Sequence, residues 1–430
     1  MKNLANLKKK IIFTLFIIIV YRIGSHIPLP TVDVTKLNEM AKIAKSGVFS
    51  MFNAFSGGAV SRASIFVLGI MPYITSSIIM QLLVASYPSL KRIKKEGGER
   101  GTQKISQYTK YLTVFIAFFQ GYSLVTGLVS MDIISSSGNI MDAKLLSAFI
   151  ITVSTLVIMW LGDQITAHGI GNGSSIIIFS GIVAEAPKDL SGVFTSIKTG
   201  SLTSLDALSL FIIFGLTCLL VTLCERTFRM IYIQYPRQNY DQFVNRKAGQ
   251  VNNQFIPLKI NTAGVIPPIF ASAILLLPTT IISFFADSAN QNAQWIVANF
   301  AHGKPLFIIC DIVLIICFSY FYNSVLFEVD DLSNGLRKNG AFIPGVRPGD
   351  QTSAYIRKTL ANLSIIGGFY LCIVCAIPEL LSGKYGYSFL LGGTGLLIVF
   401  SVVNDIITQV QTHMMSGKYE KAMKKYHQKR

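Results

Sequence analysis

The chain has 430 residues, of which 51% are hydrophobic and only 14% charged, and its formal net charge is +17. Charged residues make up about 25% of an ordinary soluble domain; that shortfall and a mean hydropathy of +0.52 exclude a water-soluble globular fold and point to a polytopic membrane protein. The basic residues are scattered between apolar runs rather than gathered in one domain, which argues against a nucleic-acid binder.

The first apolar run, IIFTLFIIIVY (11–21), follows MKNLANLKKK as the core of a leader peptide would. No small-residue cleavage site comes after it, and the next residues, YRIGSHIPLP, are bulky and proline-rich, so it is expected to be a retained first span. Apolar runs approaching the ~20 residues that cross a bilayer as helix predict ten spans, at 11–29, 65–86, 109–130, 145–165, 171–187, 207–225, 262–284, 305–326, 360–381 and 388–411. Just ahead of the second lies FNAFSGGAVSRAS (52–64), too small and too polar to cross lipid. With the amino terminus inside, the cytoplasmic segments 1–10, 88–110, 226–259, 328–358 and 412–430 hold 28 of the 38 Lys and Arg, and the outer segments hold eight. Such a bias sets orientation, so both termini are expected in the cytoplasm.

The spans divide into two halves of five, 1–190 and 191–430. In each half the second span opens on a proline turn, GIMPYI (69–74) and GVIPPIF (264–270). Five is odd, so the halves must run in opposite directions, an inverted repeat whose functional path lies between them. The spans themselves are almost uncharged. Asp163, His168, Asp311 and Asp405 lie toward span ends and read as interfacial or packing residues. No phosphate-binding G-x-x-x-x-G-K-[ST] and no H-E-x-x-H occur. GIGNGSS (169–175) lacks the lysine and follows no strand, so it reads as a helix start capped by Asn172 or Ser174. Ser174 and Ser175 have no histidine base at membrane depth, and enzymatic activity is disfavoured. All six cysteines fall in apolar runs, including the C-x-x-C of Cys372 and Cys375, and read as buried small hydrophobes. Ile70 and Ile74 share a helix face; Ile176 to Ile178, Ile269 and Ile398 fall at similar depth in other spans. Taken singly these are packing or lipid-facing residues; taken together they suit a hydrophobic constriction.

Six blocks in order along the chain then carry a resemblance: 51–83, RIKKEGGERGTQKISQYTKY (92–111), ITAHGIGNGSSIIIFSGIV (165–183), IPLKINTAGVIPPIFASAILLLP (256–278), GAFIPGVRPGDQTSAYI (340–356) and 392–420. They closely resemble the SecY/Sec61-alpha family of protein-conducting channels. The resemblance implies an all-α fold of ten transmembrane helices in two inverted five-helix halves around a pore, and a short re-entrant plug half-helix at about 52–64. The plug would include Phe52, Phe55, Ser56, Gly57, Gly58, Ser61 and Arg62. The pore ring would be Ile70, Ile74, Ile178, Ile269 and Ile398, with Ser174 at a sixth position that is usually bulky and apolar. The polar cluster of the lateral gate would be Thr75, Gln120 and Asn172, facing Leu277. Docking of a motor or ribosome would fall to Arg237, Arg246 and Lys247, with Arg226 and Arg229 nearby, and to Arg347 in PGVRPG; LFEVDDLSNGL (326–336) lacks a proline common in relatives.

The same resemblance implies SecE-like and SecG-like small subunits, the SecA motor, the ribosome, signal sequences, unfolded preproteins and the lipid bilayer as partners, with SecDF and YidC as accessories. It implies no cofactor in this chain, ATP being used by the motor, and a bacterial inner-membrane location. A small-solute secondary transporter shares the inverted halves and broken helices, but it needs paired charged or ion-coordinating groups at the midplane. A membrane scaffold would need no broken second helix beside a ring of isoleucines.

Overall fold

The structure, a computed structural model, describes residues 2–33, 53, 56–130, 140–200, 203–234, 254–261, 263–285, 304–326, 329–385 and 393–427. Each expected span coincides with a helix: α1 (Lys2–Gly24), α2 (Met71–Ser86), α4 (Gly98–Ser130), α5 (Ile140–His168), α6 (Gly173–Lys198), α7 (Ser204–Arg226), α8 (Ile266–Phe285), α9 (Pro305–Leu326), α11 (Asp350–Tyr385) and α12 (Gly393–His427). Two short helices lie between spans, α3 (Pro88–Glu96) and α10 (Val329–Lys338). Among the described residues, six helices are long and apolar enough to cross a membrane, falling in α4, α5, α7, α9, α11 and α12. With no water inside a bilayer, helices are the way these segments can satisfy their own backbone groups.

Helix α2 is the exception in length. Its 16 residues cover about 24 Å at 1.5 Å per residue, less than the ~30 Å hydrocarbon core. It starts at Met71, not near 65 as the hydropathy suggested, because residues 65–70 are turns. Gly69 sits at φ +56°, in the left-handed region, and Pro72 occupies the first turn of the helix, where a missing N–H costs nothing. The glycine turns the chain and the proline starts it again.

By packing, the chain groups into two units: Met1–Ser209 with Ser272–Ile309 and Ile377–Arg430, and Leu210–Ala271 with Cys310–Ala376. The halves expected at 1–190 and 191–430 are defined by chain direction through the membrane, a different criterion. In the first unit α4 packs on α2 and α5, α6 on α5 and α12, and α1 on α5, α6 and α12. In the second, Asn323 Nδ2 donates to Ser364 Oγ at 2.6 Å, tying α9 to α11. Cys372 Sγ lies 3.7 Å from Ile312 O, and Cys372 and Cys375 are both buried and free.

The second unit also holds what the hydropathy did not foretell. Strands β1 (Phe228–Ile233) and β2 (Gln254–Lys259) pair antiparallel, with Tyr232 opposite Phe255 and Phe228 opposite Lys259. Gln234 N donates to Phe342 O at 2.9 Å and Phe342 N donates back to Gln234 O at 3.0 Å, joining the ribbon to the 339–349 loop. Beneath lies an apolar core of Ile231, Leu258, Val329, Ile343, Ile356, Leu360 and Leu363. The segment 326–336, which lacks the expected proline, forms helix α10 from Val329, with Asp330 and Asp331 in its first turn and Arg337 and Lys338 in its last, an order that suits the helix dipole.

Candidate functional site

The site in the first unit is built around the interruption before α2. Residues from Gly57 to Ile70 form turns and a single bridge, Pro28 to Ser64, rather than a continuous half-helix, with Asn53 and Ser56 helical ahead of them. Phe52 and Phe55 lie outside the described residues. Despite the lack of regular structure, this segment is among the most buried in the chain: Ser56, Ala59, Val60, Ala63, Ser64, Val67 and Leu68 are each at most 1% exposed. Backbone groups so enclosed need partners, and the neighbours supply them. Leu29 N donates to Ala63 O at 2.8 Å and Ile65 N to Ile27 O at 2.9 Å. The Tyr21 hydroxyl donates to Ser56 O at 3.3 Å. Ser61 N donates to Asn53 Oδ1 at 3.0 Å, and its hydroxyl to Gly58 O at 2.8 Å.

Gly57 and Gly58 both have positive φ, +66° and +82°, where a Cβ is strained. At Gly57 a Cβ would also lie only 2.7 Å from Gly181 Cα and 2.8 Å from Gly181 O, so the corner rests backbone to backbone on α6. The small residues noted at 52–64 are thus a packing requirement here.

Ile70 is the N-cap residue of α2, at φ −94° and ψ 0°, and Ile74 N donates to Ile70 O at 3.2 Å, keeping the two on one turn. Ile70, Ile178 and Ile398 are each 3% exposed; Ile74 is half-buried. All four belong to the first unit, and α12, which carries Ile398, packs on α6, which carries Ile178. Gly162 of α5 lies against the same residues: a Cβ there would stand in ordinary contact with Ile177, Ile70 and the Ser174 nitrogen, at 3.5–3.6 Å. Ile269, half-buried, lies in the second unit.

Asn172 caps α6 as the sequence suggested. Its Oδ1 accepts from Ser174 N at 3.1 Å and from the Ser174 hydroxyl at 2.7 Å. Ser174, expected at a sixth ring position, therefore donates its hydroxyl proton to the cap residue. The turn before it is clamped: Ile170 N donates to Thr14 Oγ1 at 3.2 Å and Gly171 N to Gln409 Oε1 at 2.8 Å, from α1 and α12.

Of the polar residues expected at the lateral gate, Thr75 and Asn172 make local bonds. Thr75 is buried and its hydroxyl donates to Met71 O at 3.0 Å. Gln120, in α4, is 5% exposed, and its Oε1 has no partner among the described residues. The side chain of Leu277 lies outside those described. Asp163 pairs with Lys110 at 2.7 Å and His168 stands edge-on to Phe13, the packing roles expected of them. Asp311, expected near an outer interface, is 4% exposed. No cluster of three metal-binding side chains occurs among the described residues.

On the second unit, Arg347 is exposed between Gly345 and Gly349, whose φ values are +82° and +103°. The loop is pinned on either side: Thr352 Oγ1 donates to Arg347 O at 2.9 Å, and Ser333 Oγ donates to Gly349 O at 2.9 Å. Arg226 and Arg229 are exposed; Arg237, Arg246 and Lys247 lie outside the described residues.

Comparison with known proteins places this geometry. The family model described as SecY matches residues 64–407. The protein translocase subunit SecY of Rickettsia typhi is 44% identical over 429 residues, 99% of this chain and 97% of the relative. The subunit of the same name from Escherichia coli K12 is 42% identical over 428 residues, 98% and 95% of the two chains. Among solved structures, a protein-conducting channel superposes with a TM-score of 0.67 at 17% identity, covering 95% of this chain and 93% of its own. A second structure superposes equally well over the same shares at 17% identity; there, the plug domain of SecY is described as stabilising the closed state of the translocation channel and maintaining a membrane seal. Sec61 from a canine ribosome–channel complex gives 0.65 at 16% identity, with coverage of 95% and 93%. The fold is that of the ten-helix channel, two halves of five.

Proposed function

The chain belongs to the SecY family, and from that premise we infer what each part of it does. It is the channel-forming subunit of a protein translocase in the bacterial inner membrane, conducting unfolded secretory proteins across and releasing transmembrane segments sideways into lipid. The observation that carries the mechanism is the interruption of the second span: a buried, irregular segment turns at Gly69 and ends at Ile70, the N-cap of α2, with Ile74 in the helix's first turn. Irregular backbone at membrane depth is tolerated where it lines a cavity or is enclosed by protein.

In our reading residues 52–64 are the plug, and Ile70, Ile74, Ile178, Ile269 and Ile398 form the ring. A translocating chain is extended and diverse in sequence, so the pore cannot use fitted pockets. An apolar ring yields to any side chain and offers ions no substitute for their hydration shell. Ser174 interrupts this ring least when its hydroxyl is held by Asn172. A signal sequence moving between the gate helices into lipid gains apolar transfer free energy, which biases the gate open. The chain supplies no directional free energy and no catalytic step or cofactor; a SecA-like motor or the ribosome drives transport. That the solved relatives include Sec61 in a ribosome complex supports ribosome docking, and the exposed, pinned Arg347 is the residue we assign to it and to the motor. Basic loops steer acidic or RNA partners. SecE-like and SecG-like subunits complete the complex, SecDF and YidC assist it, and both termini face the cytoplasm.

The test is transport of a secretory precursor into vesicles containing the complex. Protease protection that requires both ATP and the motor is expected. Motor-independent uptake of a small solute, with no precursor protected, would favour the transporter reading instead.

A further inference from the structure

We propose that Glu185 of α6, with Arg62 and Arg22, forms an ionic latch that holds the Gly57–Gly58 corner against α6, and that undoing this latch is a step in opening the channel. The proposal rests on the reading of 52–64 as the plug.

Two guanidinium groups converge on one backbone oxygen. Arg62 Nη2 donates to Gly57 O at 2.7 Å, and Arg22 Nη1, from the end of α1, donates to the same oxygen at 3.3 Å. Arg62 Nε reaches back to Ser25 O at 3.3 Å, so one side chain spans from the corner to the turn after α1. A neutral carbonyl between two cations leaves an excess of positive charge in a half-enclosed place, and Glu185 is the group that answers it. Its Oε2 and both terminal nitrogens of Arg62 crowd the point where a Cβ on Gly58 would sit. Its other oxygen, Oε1, accepts from Lys188 Nζ at 2.9 Å, which fixes the carboxylate's direction. The Glu185 side chain is only 13% exposed.

The arrangement is selective in what it holds. Apolar contacts alone would glue the segment without regard to the helices around it. A carboxylate on α6 and an arginine on α1 make its position depend on both helices staying where they are. Removing Glu185 leaves the charges of Arg62 and Arg22 uncompensated around Gly57 O, so the contacts loosen together. Gly58, at φ +82° beneath Glu185 and Arg62, sits where a side chain is strained and would displace the carboxylate.

The experiment is single-channel or bulk ion leak of the full complex in proteoliposomes without precursor. Glu185→Gln and Arg62→Gln are each expected to raise resting leak by about tenfold, the size of one lost charge-assisted contact. The control Lys198→Gln, at the exposed end of α6, leaves it unchanged. The double variant Glu185→Gln with Arg62→Gln is expected to leak no more than either single variant, because the two charges act through one cluster. Motor-driven transport by each variant verifies assembly. If the single variants leak and the double variant leaks by the product of the two effects, the residues act separately and the latch is wrong. Unchanged leak in Glu185→Gln, while a variant with residues 53–62 replaced by a glycine–serine linker leaks, also overturns the latch and leaves the plug intact. A linker variant that does not leak overturns the plug reading itself.

Discussion

The segment from Gly57 to Ile70 and the ribbon module of the second unit are held by opposite means. The first is nearly all buried yet almost without regular structure; its ties are individual hydrogen bonds, two arginines and close approaches at glycine. The second is regular, with paired strands and a helix over an aliphatic core, and turns its charges outward. Aliphatic burial is non-directional and costly to undo, so the module can receive a partner without coming apart. A segment held by a few directional contacts can leave once they are broken together. One region suits release, the other suits loading.

The largest effect is expected at Gly57. Gly57→Val puts a β-branched residue at φ +66° and into Gly181, a strain of several kcal/mol; the segment should not seat, and resting ion leak should rise by roughly a hundredfold. Leak at wild-type level would show that the corner is not the seal. The ring comes next. Ile70→Ser, Ile74→Ser and Ile178→Ser combined should wet the constriction and raise leak by roughly tenfold with the plug still present. Unchanged conductance would move the constriction elsewhere.

On the other region, Ile356→Ala, in a core position 1% exposed, should destabilise the module by about 2–5 kcal/mol. Limited proteolysis of the 226–259 and 328–358 loops should accelerate while resting leak stays low; a leaking variant would mean the two regions are not independent. Arg347→Glu should reduce ATP-driven precursor transport several-fold with normal insertion of the channel in the membrane, and equal loss of both would point to misfolding. The smallest effect is expected at Gln120→Leu. Removing a buried acceptor with no partner should leave thermal stability unchanged or raise it by about 1 kcal/mol, read as a modest upward shift in melting temperature.

The ten helices were legible because the bilayer imposes a length and an apolarity that composition reports directly, as in LFIICDIVLIICFSYFY (306–322), where expected and observed helix coincide at 305–326. The break was legible from Gly69 and Pro72, though hydropathy alone began the span too early, since FVLG reads as helix until the positive φ of Gly69 is known. The ribbon was not legible. FRMIYI and QFIPLK are separated by a long polar stretch rich in Asn, Gln and Arg, and β2 contains a proline. The alternation of exposed Met230 and Tyr232 with buried Ile231 and Ile233 was the available signal. Glu185 was missed for a different reason: within GIVAEAPK it reads as the polar end of a span, and its relation to Arg62 exists only once the chain has folded.

In the proposed mechanism the isoleucines of the interrupted span and its neighbours line the path of the substrate. A photo-crosslinking residue at Ile178, compared with one at Phe149, which is 62% exposed on the outside of α5, tests it on a precursor stalled in transit. Adducts to the stalled chain from position 178 and none from 149 are predicted. A precursor held protease-protected in the membrane that never crosslinks to position 178, or labels 149 equally well, would contradict the account.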